Sequence, residues 1–424
     1  MNIKDKNFVV HGDIAYSNPS RKLETMANGY LVVEKGNVIG TFAALPEKFA
    51  SLPVVEAEGK LVVPGFVDLH VHASQYAFRG NGMDRPLLEW LESYAFPEER
   101  KFAEEAYAKK AYGIFASDLK KTFTTRASIF ATVHFGGTKI LADILEATGL
   151  KTYVGIVNMN RNAPDFLVHK DEETAWKEAE EFALYAQNLA NVDAIITPRF
   201  IPTCGDRLME GLAKIREKYG LKIQTHLDEN HAEIDWVKSL CPWAKSYADA
   251  YDHFGMLEGS VMAHCVHTGN EDMALLKERG TFIAHCPESN VNVYSGIAPV
   301  RKYLEAGLNV GLGSDVAGGS GLNLCKEAKL AIQLSKAYKV YADQNATALT
   351  AEDAFYLATL GGGRFFGKVG SFLSGYEADI LILNDRGMYP LTHEMSIQER
   401  IERLLYVGHE DCIEKKFVAG IEVV

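Results

Sequence analysis

Histidine is the residue type whose placement in this chain promises chemistry. Residues 61–76, LVVPGFVDLHVHASQY, end in a His-x-His pair, His70 and His72. The run is rich in Val and Leu, a composition that suits a buried parallel strand. Side chains two apart on a strand share a face. The spacing therefore sets two imidazoles side by side where the strand ends. Neutral imidazole is the commonest metal-binding side chain, and such a pair is half of a coordination shell.

Further apolar runs end the same way. Gln224-Thr225-His226, Met262-Ala263-His264 and Ala284-His285 each close on a histidine, and Gly313-Ser314-Asp315 closes on a carboxylate. Only 13 of 424 residues are histidines, so this clustering at strand ends is not a matter of abundance. Three imidazoles and one carboxylate suit zinc or a similar divalent ion such as iron, with a position left for water. Such an ion brings the water pKa towards neutrality, and the water then needs a general base. Glu229 follows His226 by three residues in His-Leu-Asp-Glu-Asn. A short helical turn there would aim Glu229 back at the ion and leave the competing Asp228 pointing outward. Asp315 can act as ligand and as proton acceptor.

Other side chains at the same ends look able to hold a flat, polar ring. Arg199 and Phe200 close the run Thr197-Pro198-Arg199-Phe200. A guanidinium suits a carbonyl oxygen and an aromatic face suits a ring, although Phe200 on composition alone is equally a core residue. Gln75 and Trp90 lie in residues 74–99, expected to be a long loop with Gly80 and Gly82 that could cover the pocket. The Gln75 amide donates and accepts together, which suits a purine edge; it could equally brace the loop. His134, His169, His231, His253, His267, His393 and His409 lack the strand-end placement and read as surface or structural, as does His11.

The elements that must position these groups are legible as an alternation. Strand-like runs near 61–70, 126–131, 151–157, 192–199, 222–226, 260–265, 281–285 and 309–314 alternate with helical stretches. That is the signature of βα units and a parallel sheet, and eight is the number of an α/β barrel, whose chemistry gathers at the C-terminal strand ends. Residues 171–191 read as a helix, with Trp176, Ala179, Ala183, Ala186 and Leu189 on its core face. Short β-rich runs at 7–10, 29–34 and 37–42, with a hairpin turn at Lys35-Gly36-Asn37, precede the alternation. Strand character returns after about 372, in 379–384 and 415–424, so the two terminal segments are expected to share one small β domain.

Composition excludes several classes. The chain is 47% hydrophobic and 24% charged, with a formal net charge of -12, which argues against general nucleic-acid binding. The six cysteines are dispersed with no Cys-x-x-Cys, and MNIKDKNFVV is no charged-then-apolar leader; no apolar run is long enough for a bilayer. A cytoplasmic protein is expected. His231-Ala232-Glu233 lacks the downstream Pro-Cys-x-x-Cys of a cytidine-deaminase zinc site, Gly361-Gly362-Gly363 lacks the Lys-Ser/Thr of a phosphate loop, and His393-Glu394 lacks the second His of HExxH.

Taken together, PGFVDLHVH, QTHLDEN, VMAHC and GLGSDVAGG resemble the strand-end motifs of the amidohydrolase superfamily, and they span most of the chain. The runs HASQYAFRGNGMDRPLLEWLESYAFPEE, TPRF and IAHCPESN resemble the branch that removes the amino group of guanine. The resemblance implies a distorted (β/α)8 TIM barrel over residues 63–371 and a small β-sandwich from residues 1–62 and 372–424. It implies one zinc held by His70, His72, His226 and Asp315, with guanine among Gln75, Trp90, Arg199, Phe200 and Glu229. His264 would stand behind the ligands, polarising the attacked centre or orienting the water. Members with two ions bridge them with a carboxylated lysine at the end of the fourth strand; no lysine lies near Arg199, so one ion is expected. A homodimer with a small-molecule substrate, and neither nucleic acid nor membrane as partner, is also implied. The nearest rival is a deaminase of another aminated heterocycle, such as 8-oxoguanine or a pterin; a metal-free binding protein on the same barrel would have lost its ligands.

Overall fold

A computed structural model describes residues 6–388 and 394–424; His393 lies outside the described residues. Eight strands form a closed parallel barrel: Phe66–His72, Thr124–Phe130, Lys151–Gly155, Val192–Pro198, Lys222–Leu227, Val261–His264, Phe282–His285 and Asn309–Leu312. Asn309–Leu312 pairs with Phe66–His72 through Leu312 and Asp68, and Lys222–Leu227 pairs with Val192–Pro198, which closes the ring. Phe66–His72 is buried along its whole length, polar residues included, as expected of a parallel barrel strand. The expected strand over 61–70 is in fact two. Val54–Pro64 belongs to a second sheet, and Phe66 opens the barrel. Gly65 separates them, because a Cβ there would meet the Thr125 side chain at 2.2 Å. Its amide donates to the Asp379 carbonyl at 3.1 Å.

The second sheet draws on both terminal segments. Its seven strands run, in hydrogen-bonded order, Ile421–Glu422, Ile413–Val418, Ile380–Leu383, Val54–Pro64, Phe8–Ser17, Leu23–Glu34 and Asn37–Phe42. It curls around one core, so that Phe8 stacks on Phe417 with ring centroids 5.0 Å apart although their strands are not neighbours. The hairpin turn is as expected: Glu34 pairs with Asn37, and Lys35 and Gly36 both take positive φ, 51° and 77°.

Two helical regions differ from the expectation. Residues 74–99 are not an open loop but a succession of short helices, Ala73–Phe78, Leu87–Trp90, Leu91–Ala95 and Phe96–Glu99, with Trp90, Leu91, Ala95 and Phe96 buried. The C-terminal segment is not all strand, because Ile397–Val407 is a helix, capped reciprocally by Ser396 and Glu399. The helix expected at 171–191 runs Glu172–Ala186 from an Asp171 cap, and its Trp176 packs on the core. Arg126 ties the barrel to the second sheet, with two bonds to Asp379 at 2.6 and 2.9 Å and one to Glu377 at 2.8 Å. Among the described residues no helix is long and apolar enough to cross a membrane, and all six cysteines are buried and free.

Candidate metal and ring-binding site

The barrel brings together the strand-end residues that the sequence singled out. His70 Nε2 lies 3.2 Å from His72 Nε2, which lies 3.2 Å from His226 Nε2. Asp315 Oδ1 lies 3.2 Å from His70 Nε2 and 3.5 Å from His72 Nε2. A tetrahedral ion about 2.0–2.1 Å from each ligand spaces the ligand atoms about 3.3 Å apart, which is the spacing among His70, His72 and Asp315 and between His72 and His226; His70, His72 and His226 form one group able to hold an ion, and His70, His264 and Asp315 another. All are buried. Burial pushes His70, His72 and His226 below the usual imidazole range. Burial alone would raise Asp315, but the imidazoles of His70, His264 and His72 hold it well below the carboxylate range. His226 Nδ1 donates to the Arg199 carbonyl at 2.7 Å, which turns its Nε2 lone pair into the cluster. The donor set fits a divalent cation of the zinc or iron type.

The chain turns sharply where these groups sit. His264, Cys265 and Asp315 take left-handed φ values of 73°, 49° and 45°, and Asp228 takes 50°. Non-glycine residues in that region are strained and persist where the surroundings over-determine them. Here the Asp315 amide donates to the His70 carbonyl at 2.8 Å, and buried Asp68 holds Ser314 through its hydroxyl at 2.5 Å and its amide at 3.0 Å.

Glu229 faces the cluster, though by a different route from the one expected. No helical turn follows the strand. Asp228 reverses the backbone, and the helix His231–Leu240 starts only after its Asn230 cap. Glu229 Oε2 lies 3.4 Å from His264 Nε2, and Ser295 Oγ donates to Oε1 at 3.3 Å. Burial, with Asp315 nearby, pushes its carboxyl well above the usual range. Asp228 is not outward-facing: it is 3% exposed and accepts from Thr268 Oγ1 at 2.9 Å, away from the cluster. His264 donates from Nδ1 to Asn290 Oδ1 at 2.8 Å, so its Nε2 faces both Glu229 Oε2 and Asp315 Oδ2, the latter at 3.7 Å. His285 ends its strand buried, with Nδ1 unpartnered and its pKa pushed down to about 3, outside the ligand group.

Gln75, Trp90, Arg199 and Phe200 line the same cavity as His72, His226, Glu229, His264 and Asp315. Trp90 is fixed by an Nε1 hydrogen bond to the Asn81 carbonyl at 3.3 Å, and Phe200 meets His226 edge-on at 6.4 Å between centroids. The sequence reading missed Glu99. Its carboxylate joins Gln75 to Arg199, and no spacing distinguishes it from its neighbour Glu98.

The sequence pattern of the amidohydrolase family matches residues 61–421. The chain belongs to that family. The guanine deaminase of Dictyostelium discoideum is 36% identical to this amidohydrolase over 379 residues, 87% of this chain and 84% of that one. The guanine deaminase of Escherichia coli strain K12 is 33% identical over 414 residues, 94% of this chain and 91% of that one. Among solved structures, guanine deaminase from C. acetobutylicum with guanine bound in its active site superposes on this amidohydrolase with a TM-score of 0.94 at 42% identity, covering 99% of this chain and 100% of that one.

Proposed function

We propose that this amidohydrolase converts guanine and water to xanthine and ammonia, with one zinc ion held by His70, His72, His226 and Asp315. The observation that carries the reading is one cavity lined by His72, His226 and Asp315, with His70 directly behind them, by the raised carboxyl of Glu229, and by Gln75, Trp90, Arg199 and Phe200. Its support from outside the chain is the match along the full length to a guanine-bound relative. An ion bound there supplies acidity, lowering the pKa of a water from 15.7 towards about 7.

The protein's own groups then move protons. Glu229 takes the water proton as oxygen adds to guanine C2, and delivers it to ring N3; it is the carboxyl that faces His264 in the cavity. His264, held by Asn290, faces Glu229 and Asp315 and orients the addition. Asp315 takes the proton of the new C2 hydroxyl and passes it to the 2-amino group, the C2–N bond breaks as the C2 carbonyl forms, and ammonia leaves. Arg199 faces the O6 carbonyl, Gln75 the ring edge, Phe200 and Trp90 the ring walls. A purine with an amine at C6 would set a donor against the remaining N–H donors of Arg199 and leave buried donors without an acceptor, which disfavours it. We further propose a cytoplasmic homodimer, which light scattering of the purified protein tests directly.

The decisive assay follows absorbance as guanine becomes xanthine, before and after treatment with a chelator. Turnover that stops on chelation and returns with zinc is expected. Ammonia release from 8-oxoguanine or a pterin with none from guanine would overturn the substrate, and chelator-insensitive turnover would overturn the metal.

A further inference from the structure

We propose that Glu99 is the positioning residue that sets which rings the pocket accepts, because its one carboxylate fixes the Gln75 amide with one oxygen and neutralises the Arg199 guanidinium with the other. This rests on the deaminase reading above and extends it to a residue outside the cavity wall.

Glu99 ends the helix Phe96–Glu99 and is 2% exposed. Its Oε1 accepts from Gln75 Nε2 at 2.8 Å, and its Oε2 accepts from Arg199 Nη1 at 2.7 Å. An ionised carboxylate only accepts hydrogen bonds, whereas the two ends of an amide differ. Gln75 must therefore turn its NH2 to Glu99. Its other end agrees, since Gln75 Oε1 accepts from the Ala317 amide at 3.2 Å. Both neighbours demand the same orientation, so Gln75 presents one N–H and one lone pair to the cavity in a fixed order. Among the described residues Glu99 is the ion-pair partner of Arg199, itself 3% exposed, and the guanidinium sits 5.2 Å from the Phe96 ring centroid. The charge is thus cancelled locally while further N–H donors of the guanidinium remain free to meet a ligand. A pocket so built takes an uncharged ring with a carbonyl and gains nothing from a ring anion.

Replacing Glu99 by Gln keeps shape and breaks both functions. An amide cannot accept from Gln75 and Arg199 together, and Arg199 is left with net positive charge. The Michaelis constant for guanine should rise at least about tenfold, the scale of lost hydrogen bonds to charged groups, with a smaller fall in kcat. Inhibition should shift from hypoxanthine, a neutral ring with the same carbonyl, towards urate, which is anionic at neutral pH, by at least about tenfold in the ratio of inhibition constants. Glu99→Asp keeps the charge but withdraws it; guanine binding should weaken with the urate-to-hypoxanthine ratio near that of the wild type. A merely structural glutamate would lower the thermal midpoint and leave the ratio unmoved. The idea is overturned if Glu99→Gln folds and keeps the wild-type constant and ratio. Should that variant not fold, an unchanged guanine constant in Glu99→Asp overturns it equally. Wild-type protein is assayed first on guanine and on a panel of aminated heterocycles. Failure on guanine alone sinks guanine as the substrate, and the same variants are then compared on the ring that is turned over.

Discussion

Buried charge is treated in opposite ways at the seam with the second sheet and at the mouth of the barrel. At the seam every partner is internal. Arg126 has three bonds to Asp379 and Glu377, and Asp379 Oδ1 also accepts from the Ala419 amide at 2.8 Å. Arg400, 1% exposed, donates to Asp13, to both oxygens of Asp385 and to the Gly59 carbonyl. At the mouth the same kinds of group stop short of one another. Three imidazole nitrogens and a carboxylate lie within 3.5 Å of a neighbour in the same cluster, and Glu229 meets Ser295 and His264 there. Buried polar groups that satisfy each other hold a structure together. Buried polar groups left facing a shared gap are held for something the chain does not contain.

The contrast can be broken by substitution. His226→Ala should abolish both metal content and turnover, and a metal-replete, active variant by mass spectrometry and assay would contradict the ligand set. Glu229→Gln should retain the metal yet lose at least about a hundredfold in turnover, the lower bound for general acid–base work; normal turnover means the base is elsewhere. At the seam the effect should fall on stability instead. Arg126→Met strands Asp379 without its partner and should cost about 3–5 kcal/mol in urea unfolding, while kcat per folded molecule stays within about twofold on the same argument that the pair is remote from the chemistry. The smallest effect concerns Lys416, which donates to the carbonyls of Lys120 and Thr124 at 2.7 and 3.1 Å and also to that of Thr122. Burial pushes its pKa down to about 7 from the ordinary lysine value of 10.5. Between those values the unfolded chain holds a proton that the folded chain lacks, so this group makes stability rise with pH. Urea midpoints from pH 7 to 9 should climb more steeply in the wild type than in Lys416→Met; parallel slopes would remove Lys416 as the cause.

What could be read without coordinates was whatever depends on residue type at a strand end. His70-x-His72, His226 and Asp315 stood out because a parallel barrel delivers those positions to one mouth whatever its loops do. Glu229 was found by its distance from His226, but the reason offered for its aim was wrong, since the turn is left-handed at Asp228 rather than helical. Sequence spacing carries no sign of φ in a residue that is not glycine. Glu99 was invisible for another reason: it acts through Gln75 and Arg199, far away in the chain, and Glu98 beside it has the same chemistry. The break at Gly65 was hidden because the residues on either side of it, 61–64 and 66–67, are all buried and apolar. The helix Ile397–Val407 had announced itself in Ser396-Ile-Gln-Glu399, a capping signature overlooked in favour of strand character on either side.

The strand Val54–Pro64, which leads directly into the histidine pair, has Phe8–Ser17 on one side and Ile380–Leu383 on the other. A ribosome therefore delivers the first neighbour at once and the second only after nearly the whole barrel has been made. Until then one edge of that strand is bare, and the growing polypeptide carries an open, sticky border next to the half-assembled centre. Sharing a single sheet between the beginning and the end of the chain thus keeps that border open until synthesis is nearly complete.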